Sequence, residues 1–323
     1  MLRIRAFEDA AEAASQGGVS AFGQTAGGGA AVRGPLHLST GQEAVAAGVC
    51  LQLRTTDLLT STHRGHGHTL AKGADAARMM AELHGRATGC NGGKGGSMHI
   101  ADFSVGMLGA NGVVAAGLPI AVGAAQALKL QGRDALVACF FGDGAINRGP
   151  FLEAINWAQA YALPVLFVCE DNAWSATTAT GTLTAGAGAA ARAEAIGVRA
   201  TTVDGNDVEA VADAAQALAG EIRAGAGPRL LHACTYRVKG HVSVDPAAYR
   251  DAAEVERARL RDPIALAERR LLELGAAPQA LDALRAAARS EIADALRHAR
   301  AAPLPEPAEA FADVQDIGQG RWT

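Results

Sequence analysis

Two short apolar runs end in polar tips, and the spacing of those tips limits the fold more than any other feature. The first run, Ala135-Leu-Val-Ala-Cys-Phe-Phe141, closes on Gly142-Asp143-Gly144. The second, Pro164-Val-Leu-Phe-Val-Cys169, leads through Glu170 and Asp171 to Asn172. Both read as buried strands, being short, apolar and rich in Val and Phe. Between them, Gly149 to Tyr161 has the length and apolar spacing of a crossover helix. The 29 residues from Asp143 to Asn172 fit one strand–helix–strand unit with a right-handed crossover. A carboxylate and a carboxamide then stand side by side at the carboxyl ends of neighbouring parallel strands, where open α/β sheets bind ligands.

Two hard oxygen donors suit Mg²⁺ or Ca²⁺, and Mg²⁺ takes only one or two protein side chains before phosphate oxygens and water complete its shell. The glycines let backbone approach a phosphate. The helix expected after the triplet offers free N–H groups and the positive end of its dipole. The local reading is a magnesium–diphosphate clamp. A plain turn with a capping Asn explains the triplet alone. The preceding strand, and the Asn one crossover later, favour the clamp.

The 323 residues can bury a large core, as one domain or two. Hydrophobic residues reach 49% but aromatics only 4%, so Ala carries much of the apolar count; with 39 Gly besides, close helix packing is expected. With 33 acidic against 29 basic residues, no basic excess points to nucleic acid or an anionic membrane. The opening Met1-Leu-Arg-Ile-Arg-Ala-Phe-Glu-Asp-Ala lacks an apolar secretory core. The apolar stretch from Gly112 to Leu128 contains Pro119 and Gln126 and reads as a buried helix rather than a membrane span. Cysteines 50, 90, 139, 169 and 234 are scattered, and Cys139 and Cys169 fall inside predicted strands. They fit small buried apolar residues in a reducing cytoplasm.

Along the chain, a helix over Met1–Ser15 leads into a glycine-rich stretch with Gly17-Gly18 and Gly27-Gly-Gly29, read as a flexible loop. Helices are expected over Gly41–Leu53, Asp75–Arg86 and Pro119–Leu130, with a short strand at Leu58–Thr60 and a glycine-rich loop at Asn91–Ser97. Ala173–Gly188 shows no clear period and reads as loop. Val198–Val203, Asp207–Ala224 and Arg229–Cys234 then alternate strand, helix, strand. This alternation predicts a doubly wound, mostly parallel sheet with helices on both faces. Asp262-Pro263 reads as an N-cap with Pro at the first helical position. Helices over Pro263–Leu274 and Pro278–Ala301 follow, ended by Pro303-Leu-Pro-Glu-Pro307. The tail's Phe311 and Trp322 either dock on a partner or lie in solvent. The expected division is 1–32 (helix and glycine-rich loop), 33–262 (α/β domain) and 263–323 (helical extension and tail).

Other clusters carry chemistry. His63-Arg64-Gly65-His66-Gly67-His68 packs three imidazoles and a guanidinium after a predicted strand, and Arg is a good phosphate partner. A soft-metal nest is disfavoured because no Cys or carboxylate ligands lie nearby in sequence. His37 precedes Ser39-Thr40-Gly41-Gln42-Glu43, which also reads as a strand end followed by a capped helix. Gly109-Ala-Asn-Gly112-Val-Val114 precedes a helix but lacks both the Gly-x-Gly-x-x-Gly form and a predicted strand before it, so it is not read as a dinucleotide site. His241, in Val238-Lys-Gly-His-Val-Ser-Val-Asp245, reads as part of a loop over the carboxyl edge of the sheet.

Gly142-Asp143-Gly144 with Asn172 resembles the thiamine diphosphate motif. Five further stretches appear in the order of one family: His37-Leu-Ser-Thr-Gly-Gln-Glu-Ala44, Ser61-Thr-His-Arg-Gly-His-Gly-His68, Gly92-Gly-Lys-Gly-Gly-Ser-Met-His99, Gly109 to Val114, and Thr235-Tyr-Arg-Val-Lys-Gly-His241 running on to Arg250. Over roughly residues 33 to 263, the chain resembles the alpha subunit of the first component of 2-oxo acid dehydrogenase complexes, in the pyruvate and acetoin branch.

The resemblance implies thiamine diphosphate and Mg²⁺ as cofactors. It puts His37, His63, Arg64, Gly112, Val114, Gly142, Asp143, Gly144, Ala145, Asn172, Trp174 and His241 at the cofactor. Asp143, Asn172 and the carbonyl of Trp174 take the metal-ligand positions. His241 takes a position that touches the diphosphate and assists acyl transfer, and His66 one near the substrate. The implied chemistry is ylid addition to a substrate carbonyl, decarboxylation or C–C cleavage, and transfer of the acyl fragment to a lipoyl group on an acyltransferase component. The implied assembly is an α₂β₂ heterotetramer whose beta subunit supplies the glutamate that helps form the ylid, so the chain alone is expected to be inactive.

Three departures stand out. Val242 replaces the phosphorylatable Ser of regulated relatives, with Ser243 adjacent. Asp171 replaces a common Asn, adding a negative charge that serves either metal binding or a cap. Trp174 replaces a frequent Tyr. The alternatives are a thiamine-dependent carboligase or acyl transferase without a lipoyl acceptor, separable by product analysis, and a non-catalytic assembly subunit, against which Arg64, Asp143, Asn172 and His241 argue.

Overall fold

The computed structural model describes residues 1–16 and 29–312. In chain order, α1 (Leu2–Ser15) and α2 (Glu43–Leu51) precede β1 (Leu58–Thr62), and α3 (His66–Ala71) and α4 (Ala76–Leu83) lead to β2 (Met107–Asn111). Then come α5 (Gly117–Leu130), β3 (Val137–Gly142), α6 (Gly149–Ala160) and β4 (Val165–Asp171). A small hairpin, β5 (Trp174–Ser175) with β6 (Thr178–Ala179), is followed by α7 (Ala189–Glu194), β7 (Ala200–Asp204), α8 (Val208–Arg223) and β8 (Arg229–Cys234). Helices α9 (Ala252–Arg259), α10 (Pro263–Glu273) and α11 (Pro278–Ala301) close the described chain.

The main sheet is parallel throughout, in the order β2-β1-β3-β4-β8-β7. The two runs rich in Val and Phe become β3 and β4 at its centre. Such strands are apolar on both faces because helices cover both. On one face Ala138, Phe140, Leu166 and Val168 join α1, α2, α4, α8 and α11 in one core. On the other, Val137, Cys139, Val165, Phe167 and Cys169 join α5, α6 and α7 in a second. The low aromatic content shows in the spacing of helices. A Cβ added at Gly48 of α2 would stand 2.7 Å from Val211 Cγ1 of α8, so these helices meet closer than Ala would allow. The sequence order along the sheet reverses between β1 and β3, and a crevice opens beyond the carboxyl ends of strands at such a point.

Several expected boundaries move. Asp75, Asp207 and Asp262 cap α4, α8 and α10 through their side chains, as residue type and position suggest. Helix α2 starts only at Glu43 and has no side-chain cap; Ser39 bonds instead to Glu8, and Glu43 Oε2 accepts from the Gly41 N–H at 2.9 Å. A strand, β2, does precede Gly112, contrary to expectation; its Gly and Asn content hides it from a propensity reading. The Asp-Gly pair after β3 opens a 3₁₀ turn, Asp143–Asn147, and the crossover helix begins only at Gly149. The loop after Asn172 contains the β5–β6 hairpin, and α7 and α9 were not anticipated. In the C-terminal extension, Ile292, Ala295 and Ala299 of α11 pack into the same core as Ile4, Phe7 and Ala11 of α1. Gly17, Gly18, Gly27, Gly28 and Trp322 lie outside the described residues, and Phe311 is exposed. Among the described residues no helix is long and apolar enough to cross a membrane.

Candidate active site

Five strand ends converge on the crevice. β1 delivers His63 and Arg64, β2 delivers Gly112 to Val114, β3 delivers Gly142 to Ala145, and β4 delivers Asn172. The segment after β8 returns with Arg237 and His241. These residues, with His37, Gln42 and Trp174, line one cavity of about 210 Å³. Of the cofactor and catalytic positions expected from sequence, His66 is the one that does not line it.

The carboxylate and carboxamide end neighbouring strands. Gly142 pairs with Glu170 across β3 and β4, so Asp143 and Asn172 leave the sheet together, and both are buried. Asn172 is held in one orientation: its Nδ2 donates to Gln42 Oε1 at 3.1 Å, and its Oδ1 accepts from the Trp174 N–H at 3.1 Å. Asp143 Oδ2 accepts from the Thr180 hydroxyl at 2.6 Å. Burial raises the Asp143 carboxyl to about 6; the Thr180 bond opposes this and the neighbouring Asp171 adds to it. A divalent cation would relieve that penalty.

Facing them is a basic cluster. Arg64 is buried and donates to the carbonyls of Leu38 and His241. Arg237 is 1% exposed; its Nη2 donates to Ala176 O at 2.8 Å and its Nη1 lies 3.4 Å from His241 Nδ1. Among the described residues neither guanidinium has a carboxylate within ion-pair reach. Burial first, then mutual repulsion, bring Arg64 down to about 9. Burial and Arg250 bring Arg237 down to about 10. Two desolvated cations without a counter-ion make a strong anion site.

Three imidazoles share the cavity wall. The His37 ring lies 4.5 Å from that of His63 and 4.8 Å from that of His241, centroid to centroid. Burial holds all three below the ordinary histidine value, with the nearby arginines adding: His63 to about 3, His241 to about 4, and His37 lower still. All three are neutral at pH 7. A guanidinium only donates, so His241 accepts at Nδ1 and carries its proton on Nε2. Among the described residues, buried His37 Nδ1 has no hydrogen-bond partner.

His66 and His68 turn elsewhere, so the sequence triplet does not form a metal nest. Both sit in α3. His66 is fully buried, with Nδ1 at 2.9 Å from Glu8 Oε2 and Nε2 at 3.1 Å from Ser97 Oγ. His68 stacks on Phe140 and reaches Ser61 and Glu170. Backbone strain also gathers at the cleft: Ala115, Ala173 and Ala176 have φ of 72°, 62° and 50°. Gln42, Thr180 and Arg237 are site residues that sequence reasoning did not single out. Gln42 and Arg237 lie inside stretches already flagged, next to residues that were; Thr180 lies in an aperiodic segment with no local signal.

A doubly wound parallel sheet whose crevice sets a carboxylate and a carboxamide against buried guanidiniums defines an α/β protein with a cavity suited to an anionic ligand. Residues 29–308 match the family model described as the dehydrogenase E1 component. The chain is 42% identical over 316 residues to the alpha subunit of acetoin:2,6-dichlorophenolindophenol oxidoreductase from Bacillus subtilis (strain 168), covering 97% of this chain and 91% of that one. It is 41% identical over 285 residues to the corresponding subunit of Cupriavidus necator, covering 88% and 86%. It is 38% identical over 284 residues to the pyruvate dehydrogenase E1 component subunit alpha of Porphyra purpurea, covering 85% and 83%. The chain belongs to the dehydrogenase E1 component family and is an alpha-type subunit of a 2-oxo acid or acetoin dehydrogenase.

Proposed function

We propose that the crevice holds thiamine diphosphate with Mg²⁺, and that the chain works with a beta subunit as an α₂β₂ dehydrogenase of acetoin, pyruvate or a similar small 2-oxo acid. The observation that carries this reading is the pair of unneutralised guanidiniums, Arg64 and Arg237, facing Asp143 and Asn172 across one cavity. A diphosphate answers the first pair and a magnesium ion the second. The chain's residues fit the group: two hard oxygen donors, an orphaned buried ring nitrogen on His37, and an opening at Gly112 where an added Cβ meets nothing closer than 3.4 Å.

When bound, thiamine diphosphate supplies a carbon nucleophile that adds to the substrate carbonyl and serves as an electron sink. The remaining roles belong to the chain. Asp143, Asn172 and the main-chain carbonyl of Trp174 hold the metal. Arg64, with Arg237, pairs with phosphate oxygens. Gly142, Gly144 and Ala145 let backbone come close to that tail, and Gly112 and Val114 form the opposite wall. His63 and His37 are neutral donors at the same wall. His241 presents its Nε2–H to the cavity and can return a proton there during acyl transfer, while His66 shapes the substrate side from beneath. The acyl acceptor is a lipoyl group on an acyltransferase component. Free cysteines throughout the described residues suit a reducing cytoplasm.

The test is reconstitution. The chain with its beta partner, thiamine diphosphate, Mg²⁺ and acetoin or pyruvate should reduce 2,6-dichlorophenolindophenol only when every component is present. Turnover by the chain alone, or without the coenzyme, contradicts the reading.

A further inference from the structure

Beside the crevice, the tips of β4 and β8 gather a second set of donors. The register pairs Cys169 with His232 and Asp171 with Cys234. Side chains alternate across a strand, so Asp171, His232 and Cys234 share one face. His232 Nε2 stands 2.8 Å from Asp171 Oδ2. One donor atom from each residue lies within 4.8 Å of the other two. Asp171 Oδ1 is engaged by the Ala173 N–H at 3.0 Å, which turns Oδ2 toward the ring. None of the three lines the crevice, and Cys234 is exposed, so an ion reaches them from solvent.

The geometry points to a separate cation site here, formed by Asp171, His232 and Cys234, for a borderline divalent ion of the zinc class. The donor set selects the ion: carboxylate oxygen, imidazole nitrogen and sulfur suit Zn²⁺, whereas Mg²⁺ does not compete for thiolate. Bonds of about 2.0–2.3 Å place tetrahedral ligand atoms roughly 3.3–3.7 Å apart, so the trio closes around one ion with shifts of about 1 Å. Water fills the fourth position. Burial, with Asp171 and Asp204 nearby, holds the Cys234 thiol above its ordinary value. Binding therefore forms a metal–sulfur bond and releases the thiol proton to solvent. The metal takes His232 Nε2, and a metal-bound imidazole carries its remaining proton on the other ring nitrogen, Nδ1. The ion would clip β4 to β8 just outside the Asp143–Asn172 grip, and this site does not depend on the coenzyme reading.

Cobalt(II) tests it, because cobalt–thiolate bonds give a near-ultraviolet charge-transfer band. The full chain, with its companion subunit where the two co-purify, should develop this band at one equivalent of Co²⁺ and lose it to one equivalent of Zn²⁺. Excess Mg²⁺ should leave the band intact. Cys234→Ser should abolish the band and weaken Zn²⁺ binding at least tenfold, and His232→Ala should weaken Zn²⁺ binding comparably while the far-ultraviolet dichroism of both variants matches the parent. No band in the parent, an equal band in Cys234→Ser, or displacement by Mg²⁺ would overturn the proposal.

Discussion

Glu8 Oε2 lies 2.9 Å from His66 Nδ1, and both side chains are fully buried. The same carboxylate accepts from the Ser39 N–H at 2.9 Å through Oε1. One residue of the first helix thus ties together the segment carrying His37 and the helix that follows Arg64. Burial alone would raise the Glu8 carboxyl, but His66 and Ser39 outweigh it and hold it below the ordinary value. Glu8→Ala strands buried donors and should cost about 3 kcal/mol, with Glu8→Gln less severe. Urea denaturation measures this; an unchanged midpoint in Glu8→Ala would show that α1 does not brace the site.

The neutral histidines set a pH dependence. His63 and His241 have folded values of about 3 and about 4, below the ordinary histidine value. Between those values and about 6.5 the unfolded chain binds protons that the folded chain does not, so stability is full above about 6.5 and falls as pH drops. Allowing for partial exposure, each contributes up to about 1.5 kcal/mol between pH 7 and pH 5. Asp143, raised to about 6, works with the opposite sign, so the comparison needs a variant. The ligand-free parent should lose more stability between pH 7 and pH 5 than the His63→Gln/His241→Gln double variant; equal losses would refute the assignment.

Gly144 separates a packing effect from a chemical one. A Cβ there would stand 2.5 Å from Ser175 Oγ and 2.9 Å from Ser175 Cβ. Gly144→Ala must push the β5–β6 hairpin, and with it the Trp174 carbonyl, away from Asn172. We predict at least tenfold weaker coenzyme affinity with global stability lowered by no more than about 2 kcal/mol. Pairing the change with Ser175→Gly, which removes the clash, should restore most of the affinity. Failure of that rescue would mean the hairpin does not position the metal-side carbonyl.

What the sequence made legible follows from where the signals are local. β3 and β4 announce themselves because both faces are covered and their residues are uniformly apolar. Asp143 and Asn172 follow, since one crossover fixes the offset between their tips. β2 was invisible because Met107–Asn111 carries Gly and Asn, and its pairing with β1 is non-local. The histidine-rich stretch divides between crevice and core for a related reason. Within six residues it crosses from a strand end into a helix, so His63 faces the crevice while His66 and His68 point into the core. Arg237 and Gln42 gain their roles from partners across the sheet, Arg237 against Arg64 and Gln42 against Asn172, and no local pattern encodes those meetings.

The most direct measurement is calorimetric titration of thiamine diphosphate into the chain assembled with its beta partner, with and without Mg²⁺, for the parent and for Asp143→Asn. Binding should require Mg²⁺ in the parent and weaken at least a hundredfold in the variant, while the variant keeps its fold and its partner. Equal uptake without Mg²⁺, or an affinity in Asp143→Asn matching the parent, would contradict the claim that these strand tips grip the metal of a diphosphate.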